Sequence, residues 1–172
     1  MLKLVYAPDP ILKKECSPVP QVDDHHRELI SKMYDVMYEA NGVGLAAPQV
    51  GIDMRIFILD PGAKEEEKKP LAMINPVLLS IDENTTPYEE GCLSLPGHYA
   101  EIERPAECRV KYIDYNGKEK EIEANGLLST CIQHEVDHLN GTLFIDYLSK
   151  LKKDMILKKL VKHKKEFNKI IL

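Results

Sequence analysis

The segment His134–His138 contains the residue types and the spacing best suited to chemistry. Its two histidines are four positions apart, so on a helix their imidazoles project from one face, about 6 Å apart along the axis. Two nitrogens so placed can bind one metal ion, and Glu135 beside them can accept a proton from a metal-bound water. The pattern indicates a hydrolytic metal centre. The alternative is a polar patch satisfied by neighbouring groups or water.

A hydrolytic metal site usually has a third protein ligand and an open position for water. Cys131 lies on the same helix face, but about 10 Å along the axis from His138, too far to share one ion comfortably with both histidines. We therefore interpret Cys131 as pocket wall or core. Cys92 lies between glycines in Gly91–Gly97, where a thiolate would be a good soft ligand. Spacing alone leaves ligation and ordinary packing of Cys92 equally open.

Composition restricts the class of protein that carries these residues. The 172 residues have the charged and apolar fractions of a globular chain and are too few for two comfortable domains. Four widely spaced cysteines without a C-x-x-C pair argue against a disulfide framework. No secretory signal or membrane-length apolar run is present, so we expect a cytoplasmic protein without membrane contact.

The elements that must position the chemistry follow from periodicity and turn signals. We predict an α+β fold: one domain over residues 1–172, with antiparallel or mixed β-sheets around a central metal-binding helix and a further C-terminal helix. We predict an N-terminal helix at 23–41, a buried central helix at 127–139 and a last helix at about 149–169. Strands are predicted at 55–60, 71–81, 106–115 and 118–122, the last two joined by a hairpin turn at Asn116-Gly117. A solvated loop is predicted at 64–69.

Three motifs resemble those of the peptide deformylase family. They occur in the family's order and at its usual separations, and the likeness extends over nearly the whole chain. Three motifs together are far more specific than H-E-x-x-H alone. The motifs are Gly42-Val43-Gly44-Leu45-Ala46-Ala47-Pro48-Gln49, Glu90-Gly91-Cys92-Leu93-Ser94 and Gln133-His134-Glu135-Val136-Asp137-His138.

The resemblance implies a bacterial hydrolase that removes the formyl group from N-formylmethionyl nascent peptides and releases formate. It implies a metal held by Cys92, His134 and His138, with water in the fourth position. The family typically uses Fe(II), and zinc, nickel or cobalt can occupy such a site. The implied catalytic groups are Glu135 for proton transfer, with the Gln49 amide and the Leu93 backbone N–H as oxyanion donors.

Substrate binding and support of the ligands are predicted from the residues themselves. The segment Gly42-Val43-Gly44 has little side-chain bulk, so a peptide could pair with its backbone as an added strand. Tyr88, Leu127 and Cys131, with Val43, are the candidates for a methionine pocket. We expect Glu90 and Arg104 to form an ion pair that braces the Cys92 motif, although solvation of Arg104 is equally compatible with the sequence.

The formal charge of −5 is divided unevenly along the chain. Nine lysines against Asp154 and Glu166 give residues 148–172 a charge of +7, which leaves −12 on residues 1–147. Four of these lysines share one helix stripe, which indicates either a solvated face or attachment to an RNA-rich surface such as the ribosome. Ile156, Leu160 and Phe167 are expected to dock on the domain, and the stripe comprises Lys158, Lys162, Lys165 and Lys169.

Two other functions compete with the deformylase hypothesis. A zincin-type peptidase would also use H-E-x-x-H, although the Cys92 motif argues against it. A structural metal domain or ribosome-binding protein would have a closed metal site and no turnover. We expect a monomer, since no segment indicates an exposed apolar interface. The remaining histidines are expected to be exposed: His25, His26, His98 and His163.

Overall fold

The computed structural model describes residues 2–63 and 68–170, with side chains described up to residue 163. All strand pairings in this part of the chain are antiparallel, in a five-stranded sheet of order β1-β2-β3-β6-β7 and a separate β4-β5 pair. The α+β prediction is confirmed. The elements are α1 (Asp24–Glu39), β1 (Gly44–Ala46), β2 (Ile56–Leu59), β3 (Leu71–Ile81), β4 (Thr85–Gly91), β5 (Tyr99–Pro105), β6 (Glu107–Ile113), β7 (Glu119–Asn125), α2 (Gly126–Leu139) and α3 (Lys150–Ile170).

Helix α1 begins where its capping residue predicts. The Asp23 carboxylate accepts the backbone N–H of His26, and His26 Nδ1 accepts the N–H of Asp23 in return. This reciprocal pair leaves the His26 ring mostly buried, so the prediction that it is exposed is wrong. The apolar stripe of α1 packs against β1 and β2 through Leu29, Ile30, Met33 and Met37.

Helix α2 lies against the large sheet and forms the centre of the molecule. Ile132 and Leu139 are fully buried in a cluster that includes Phe57 of β2 and Val110 of β6. The helix begins at Gly126, which has a φ of +53° that favours glycine and lies one residue before the predicted start. The β6–β7 hairpin that leads into α2 turns at Asn116-Gly117, as predicted.

The β4–β5 hairpin is a finding that the sequence does not predict. Seven residue pairs join the two strands, from Thr85–Pro105 to Gly91–Tyr99. Most side chains of β4 are exposed and polar, so the strand lacks the apolar alternation by which strands are recognised. The hairpin matters because β4 carries Glu90 and delivers the chain directly to Cys92.

Helix α3 begins one residue after the predicted Ser149 and docks through Leu160, which is buried near Phe144. Ile156 packs on the same cluster, as expected. The side chains of Lys165, Phe167 and Lys169 lie outside the described residues, as do residues 64–67 of the predicted solvated loop. In the described part of the chain, no helix has both the length and the apolar composition to cross a membrane.

Candidate metal centre and cleft

Three side chains from two separate elements meet at one point beside α2. The ligand atoms of Cys92, His134 and His138 lie within 4.8 Å of one another. The histidines lie on α2 with ring centroids 5.0 Å apart, and Cys92 follows the last residue of β4. The Cys92 Sγ lies 3.3 Å from His138 Nε2. One thiolate and two imidazoles so close together form a donor set that suits a transition-metal ion.

His134 is held in a fixed orientation by Glu90. Its Nδ1 lies 2.8 Å from Glu90 Oε2, so an ionised carboxylate there requires the proton on Nδ1 and leaves the Nε2 lone pair free for a ligand. Burial alone would raise the pKa of Glu90, but hydrogen bonds from His134 and Arg104 outweigh it and lower the pKa. Phe144 stacks on His134 at 6.4 Å between ring centroids.

His138 supports the same interpretation through its burial and through the unpartnered Nδ1 of its ring. It is 1% exposed, and its Nδ1 has no hydrogen-bond partner among the described residues. Burial lowers the pKa of His138 well below its ordinary value, which favours the neutral imidazole that binds metals. A neutral imidazole at His138 beside a cysteine therefore fits a divalent ion.

Cys131 does not join this group. Among the described residues, the clustered ligand atoms come from Cys92, His134 and His138. Burial raises the pKa of the Cys131 thiol to about 12, so it stays protonated and is a poor ligand. Its position on the cleft wall agrees with its interpretation as pocket or core.

Glu135 is the one carboxylate next to the donor set without a hydrogen-bond partner in the described structure. It is 4% exposed, and its buried Oε2 lacks a partner. Burial raises the pKa of Glu135 to about 7, where a carboxyl group can both take and release a proton. A Cβ placed on Gly44 would lie 3.0 Å from the Glu135 carboxyl carbon and closer still to Oε1. The glycine therefore leaves space for the carboxylate.

Gln49 points its amide nitrogen at the metal centre. Its Oε1 accepts the backbone N–H of Ala46 at 2.8 Å, which fixes the orientation of the amide. The Nε2 then donates to Cys92 Sγ at 3.3 Å and to Ser94 Oγ at 3.2 Å. Leu93 lies between these two residues, and within the described part of the chain no group accepts its backbone N–H.

Five residues of the site line one open cleft of about 710 Å³: Gln49, Cys92, Leu93, His134 and Glu135. The predicted substrate-binding residues all lie on its wall: Gly42, Val43, Gly44, Tyr88, Leu127 and Cys131. The catalytic candidates Gln49, Leu93 and Glu135 lie there too. The cleft brings together residues from all three motifs, which are far apart in sequence.

Some residues of the site are given no role by the sequence analysis. Tyr6 from the N-terminal segment and Tyr99 of β5 line the cleft, and Ser94 supports Gln49. The ion pair of Glu90 and Arg104 is present, but Arg104 also donates to Asp137 at 2.8 Å, a contact that is not predicted. Composition does not reveal such partners, because they come from elements whose packing is decided by the fold.

An α+β domain with a Cys/His/His set beside a buried carboxylate has the site of a mononuclear metallohydrolase. The family model described as polypeptide deformylase matches residues 1–154. Among curated proteins, a peptide deformylase of Pelagibacter ubique is 53% identical over 165 residues, covering 96% of this chain and 95% of that protein. One of Bartonella tribocorum is 50% identical, with 98% and 96% covered.

Solved structures give the same result. The peptide deformylase of Ehrlichia chaffeensis superposes with a TM-score of 0.91 at 40% identity, covering 96% of this chain and 97% of that one. A peptide deformylase of Synechococcus elongatus, solved in complex with actinonin, has a TM-score of 0.86 at 42% identity, with 92% and 86% covered. The chain belongs to the polypeptide deformylase family.

Proposed function

We propose that this chain is a hydrolase that removes the formyl group from the N-terminal formylmethionine of newly made polypeptides, with Cys92, His134 and His138 holding one metal ion. The observation that carries the proposal is the Cys/His/His set beside Glu135, a buried carboxylate whose Oε2 has no partner in the described structure. A divalent ion bound there supplies Lewis-acid chemistry, increasing the acidity of water and polarising a carbonyl group.

Fe(II) is the proposed native ion, on the strength of the family resemblance. The donor set itself also suits Zn(II), Ni(II) or Co(II). Metal analysis of protein purified without oxygen tests this assignment. One iron per chain is the expected result, and stoichiometric zinc with full activity would contradict it.

Glu135 is the proposed general base and acid. A pKa of about 7 lets its carboxylate take the proton of the attacking water and later give it to the leaving amine. Because its buried Oε2 has no hydrogen bond to break within the described structure, the carboxylate is ready for this transfer. The products are formate and a peptide with a free amino terminus.

Gln49 and Leu93 are the proposed donors to the carbonyl oxygen of the formyl group, which gains negative charge during attack. The Gln49 amide is held toward Cys92 by its bond from Ala46, so it need not reorganise during the reaction. Leu93 lines the same cleft, and its backbone N–H has no acceptor in the described part of the chain. Donors held in advance in this way are worth roughly 10²- to 10³-fold in rate.

The peptide is proposed to lie along the free edge of β1. This strand is at the end of the five-stranded sheet, and Gly44 lines the cleft. An extended peptide can pair with such an edge, so binding would depend on main-chain groups. Val43, Tyr88, Leu127 and Cys131 then form the pocket for the methionine side chain.

The decisive experiment compares metal-loaded wild type with Glu135→Gln in an anaerobic assay on formyl-Met peptides. The variant keeps the shape of the side chain but cannot exchange a proton, so we expect kcat to fall by about 10²- to 10⁴-fold with metal retained. Glu101→Gln, at an exposed position of β5, is the matched control and should keep wild-type activity.

Three outcomes would contradict the proposal. Activity retained in Glu135→Gln would rule out its role as base. Cleavage of internal peptide bonds by wild type, without release of formate from formylated substrates, would instead favour the zincin-type peptidase. A site that binds metal but turns over neither substrate would indicate a structural centre.

The proposed setting is the bacterial cytoplasm, where the enzyme would act as a monomer on nascent chains at the ribosome. The curated relatives described above are bacterial. Lys158 begins the predicted basic stripe on α3, and Lys162 is exposed one turn later. Replacing both with Glu should weaken salt-dependent co-sedimentation with ribosomes more than Lys118→Glu/Lys120→Glu does. Equal binding by the two double variants would contradict this role of α3.

A further inference from the structure

Arg104 connects the two halves of the candidate metal centre. Its side chain is 4% exposed and lies between Glu90 of β4 and Asp137 of α2. Its Nε and Nη2 both donate to Glu90, with Nη2 3.0 Å from Oε2, and its Nη1 donates to Asp137 Oδ2 at 2.8 Å. One guanidinium thus bridges the strand that leads to Cys92 and the helix that carries both histidines.

Tyr147 extends this contact to the surface. Its hydroxyl donates to Asp137 Oδ2 at 2.8 Å, and its ring centroid lies 5.1 Å from the Arg104 guanidinium carbon. The residue is 52% exposed and ends the short helical segment Phe144–Tyr147 that precedes α3. A continuous path of hydrogen bonds therefore leads from a surface hydroxyl to His134: Tyr147, Asp137, Arg104, Glu90 and His134.

The carboxylate oxygens at the two ends of Arg104 are used in the same way. Asp137 Oδ2 accepts from Arg104 and Tyr147, and Glu90 Oε2 accepts from Arg104 and His134. The Arg104 guanidinium is shared by two largely buried carboxylates. Its position between them therefore depends on the other donor that each carboxylate accepts from. The Tyr147 hydroxyl is that second donor for Asp137, and it leaves Arg104 free to keep its two-bond contact with Glu90.

We propose that Tyr147 and Asp137 are positioning residues for the metal ligand His134. They act through Arg104 and Glu90, which hold the proton of His134 on Nδ1 and so direct its Nε2 toward the metal. The inference rests on the proposed metal centre; it adds Tyr147, which lies outside the three motifs, and gives a role to Asp137 within the third motif. Partners of metal ligands commonly change metal affinity by about 10- to 100-fold, and a residue further out should have a smaller effect.

The test uses Co(II) as the probe ion and does not depend on activity. Tyr147→Phe keeps the ring beside Arg104 and removes only the hydroxyl. We expect it to release Co(II) to a chelator about 3- to 10-fold faster than wild type, with a shifted thiolate–Co(II) absorption band. Asp137→Asn, which removes the shared charge, should speed release by about 10- to 100-fold.

Tyr115→Phe is the matched control. Tyr115 is also half-exposed, and its ring lies 6.0 Å from the guanidinium of Arg27, but its partners have no contact with the metal centre. Its Co(II) release and spectrum should equal those of wild type. Thermal unfolding of the metal-free proteins separates positioning from general stability, because a merely structural effect would lower the Tm of Tyr147→Phe without shifting its thiolate–Co(II) band.

The two proposals fail in different ways. If wild type binds one Co(II) per chain with a thiolate band, and Tyr147→Phe has the same release rate and spectrum, the positioning role is wrong while the proposed function stands. If wild type binds no Co(II) through Cys92, the proposed function fails and the inference fails with it.

Discussion

The helix-borne half of the candidate site and its strand-borne half are held by different forces. The α2 half contributes His134, Glu135 and His138 from a helix packed on the sheet by Ile132 and Leu139. The half after β4 contributes Cys92 and the Leu93 N–H from an irregular segment. Besides the buried Leu95, polar contacts hold that segment and the end of β4: Arg104 on Glu90, Gln49 on Ser94, and the Ala7 N–H on the Ser94 carbonyl.

This difference shows how one site combines a rigid helix with a segment whose backbone other groups can approach closely. Apolar packing can hold a helix rigidly, but it needs bulk on the side opposite the ligands. The segment Gly91–Gly97 is anchored in the core by Leu95, which is fully buried, and directional hydrogen bonds fix the backbone around it. The following changes break or sharpen this comparison, from the largest expected effect to the smallest.

Arg104→Leu should have the largest effect, because it leaves the Glu90 and Asp137 carboxylates without their shared cation. Removing one partner of a buried ion pair costs about 3–5 kcal/mol. We expect the free energy of unfolding in urea to fall by that amount, and metal binding to weaken. The control is Arg109→Leu, which breaks an exposed pair with Glu121 and should cost less than about 1 kcal/mol. Similar losses in both variants would show that the strand half does not depend on its polar contacts.

Ile132→Ala tests the helix half. The side chain is fully buried, so its loss should reduce the free energy of unfolding by about 2–5 kcal/mol through lost packing and a cavity. Metal stoichiometry should nevertheless remain one ion per chain at low temperature, because no ligand contact is removed. Leu151→Ala, at a position 72% exposed, should stay within about 0.5 kcal/mol of wild type. Loss of the metal without a fall in the free energy of unfolding would contradict this prediction, because it would mean that Ile132 supports the metal site and not the packing of the helix.

Gly44→Ala and Gly91→Ala compare a glycine beside each half. The added methyl at Gly44 meets the carboxylate of Glu135 and should reduce kcat/KM by about 100-fold, since a misplacement near 1 Å costs that much. At Gly91 the methyl meets the ring of Tyr99, which is 67% exposed and can move aside. A loss under about tenfold is expected there. A larger loss at Gly91 than at Gly44 would contradict the account of Glu135.

Ser94→Ala should have the smallest effect. It removes one of two acceptors of the Gln49 amide, and a neutral hydrogen bond is worth about 1 kcal/mol. We expect kcat to fall by about fivefold with KM nearly unchanged. Ser80→Ala, on the exposed part of β3, serves as the control. An unchanged kcat would mean that the Cys92 contact alone orients Gln49.

The same division decides what the sequence could predict. The i, i+4 histidines and the apolar residues of α2 follow from helix periodicity, so this half can be derived without any relative. Cys92 as a ligand depends on family resemblance, because its segment has no regular period. The β4–β5 hairpin is missed because most side chains of β4 are polar and exposed. Asp137 and Tyr147 are missed because both are connected to the site through Arg104. Arg104 lies 33 residues from Asp137 in the sequence, and only the fold brings the two together.

Errors elsewhere have equally local causes. His26 is expected at the surface because histidine is polar, but its reciprocal bonds with Asp23 satisfy the ring nitrogen and allow burial. Cys131 is correctly separated from the ligands by distance along the helix. Its position on the wall of the cleft depends on how α2 is rotated against β1, which periodicity alone does not specify.

The shortness of β1 has consequences for aggregation and for substrate selectivity. An open sheet edge invites pairing with other chains, and long apolar edges lead to aggregation. With only three residues, Gly44–Ala46, this edge spans about 10 Å and offers little to a wrong partner. If a peptide pairs with this edge as proposed, β1 can contact only its first few residues, and residues further along the peptide would not affect binding. The proposed generality toward different polypeptides would then follow from the shortness of one strand.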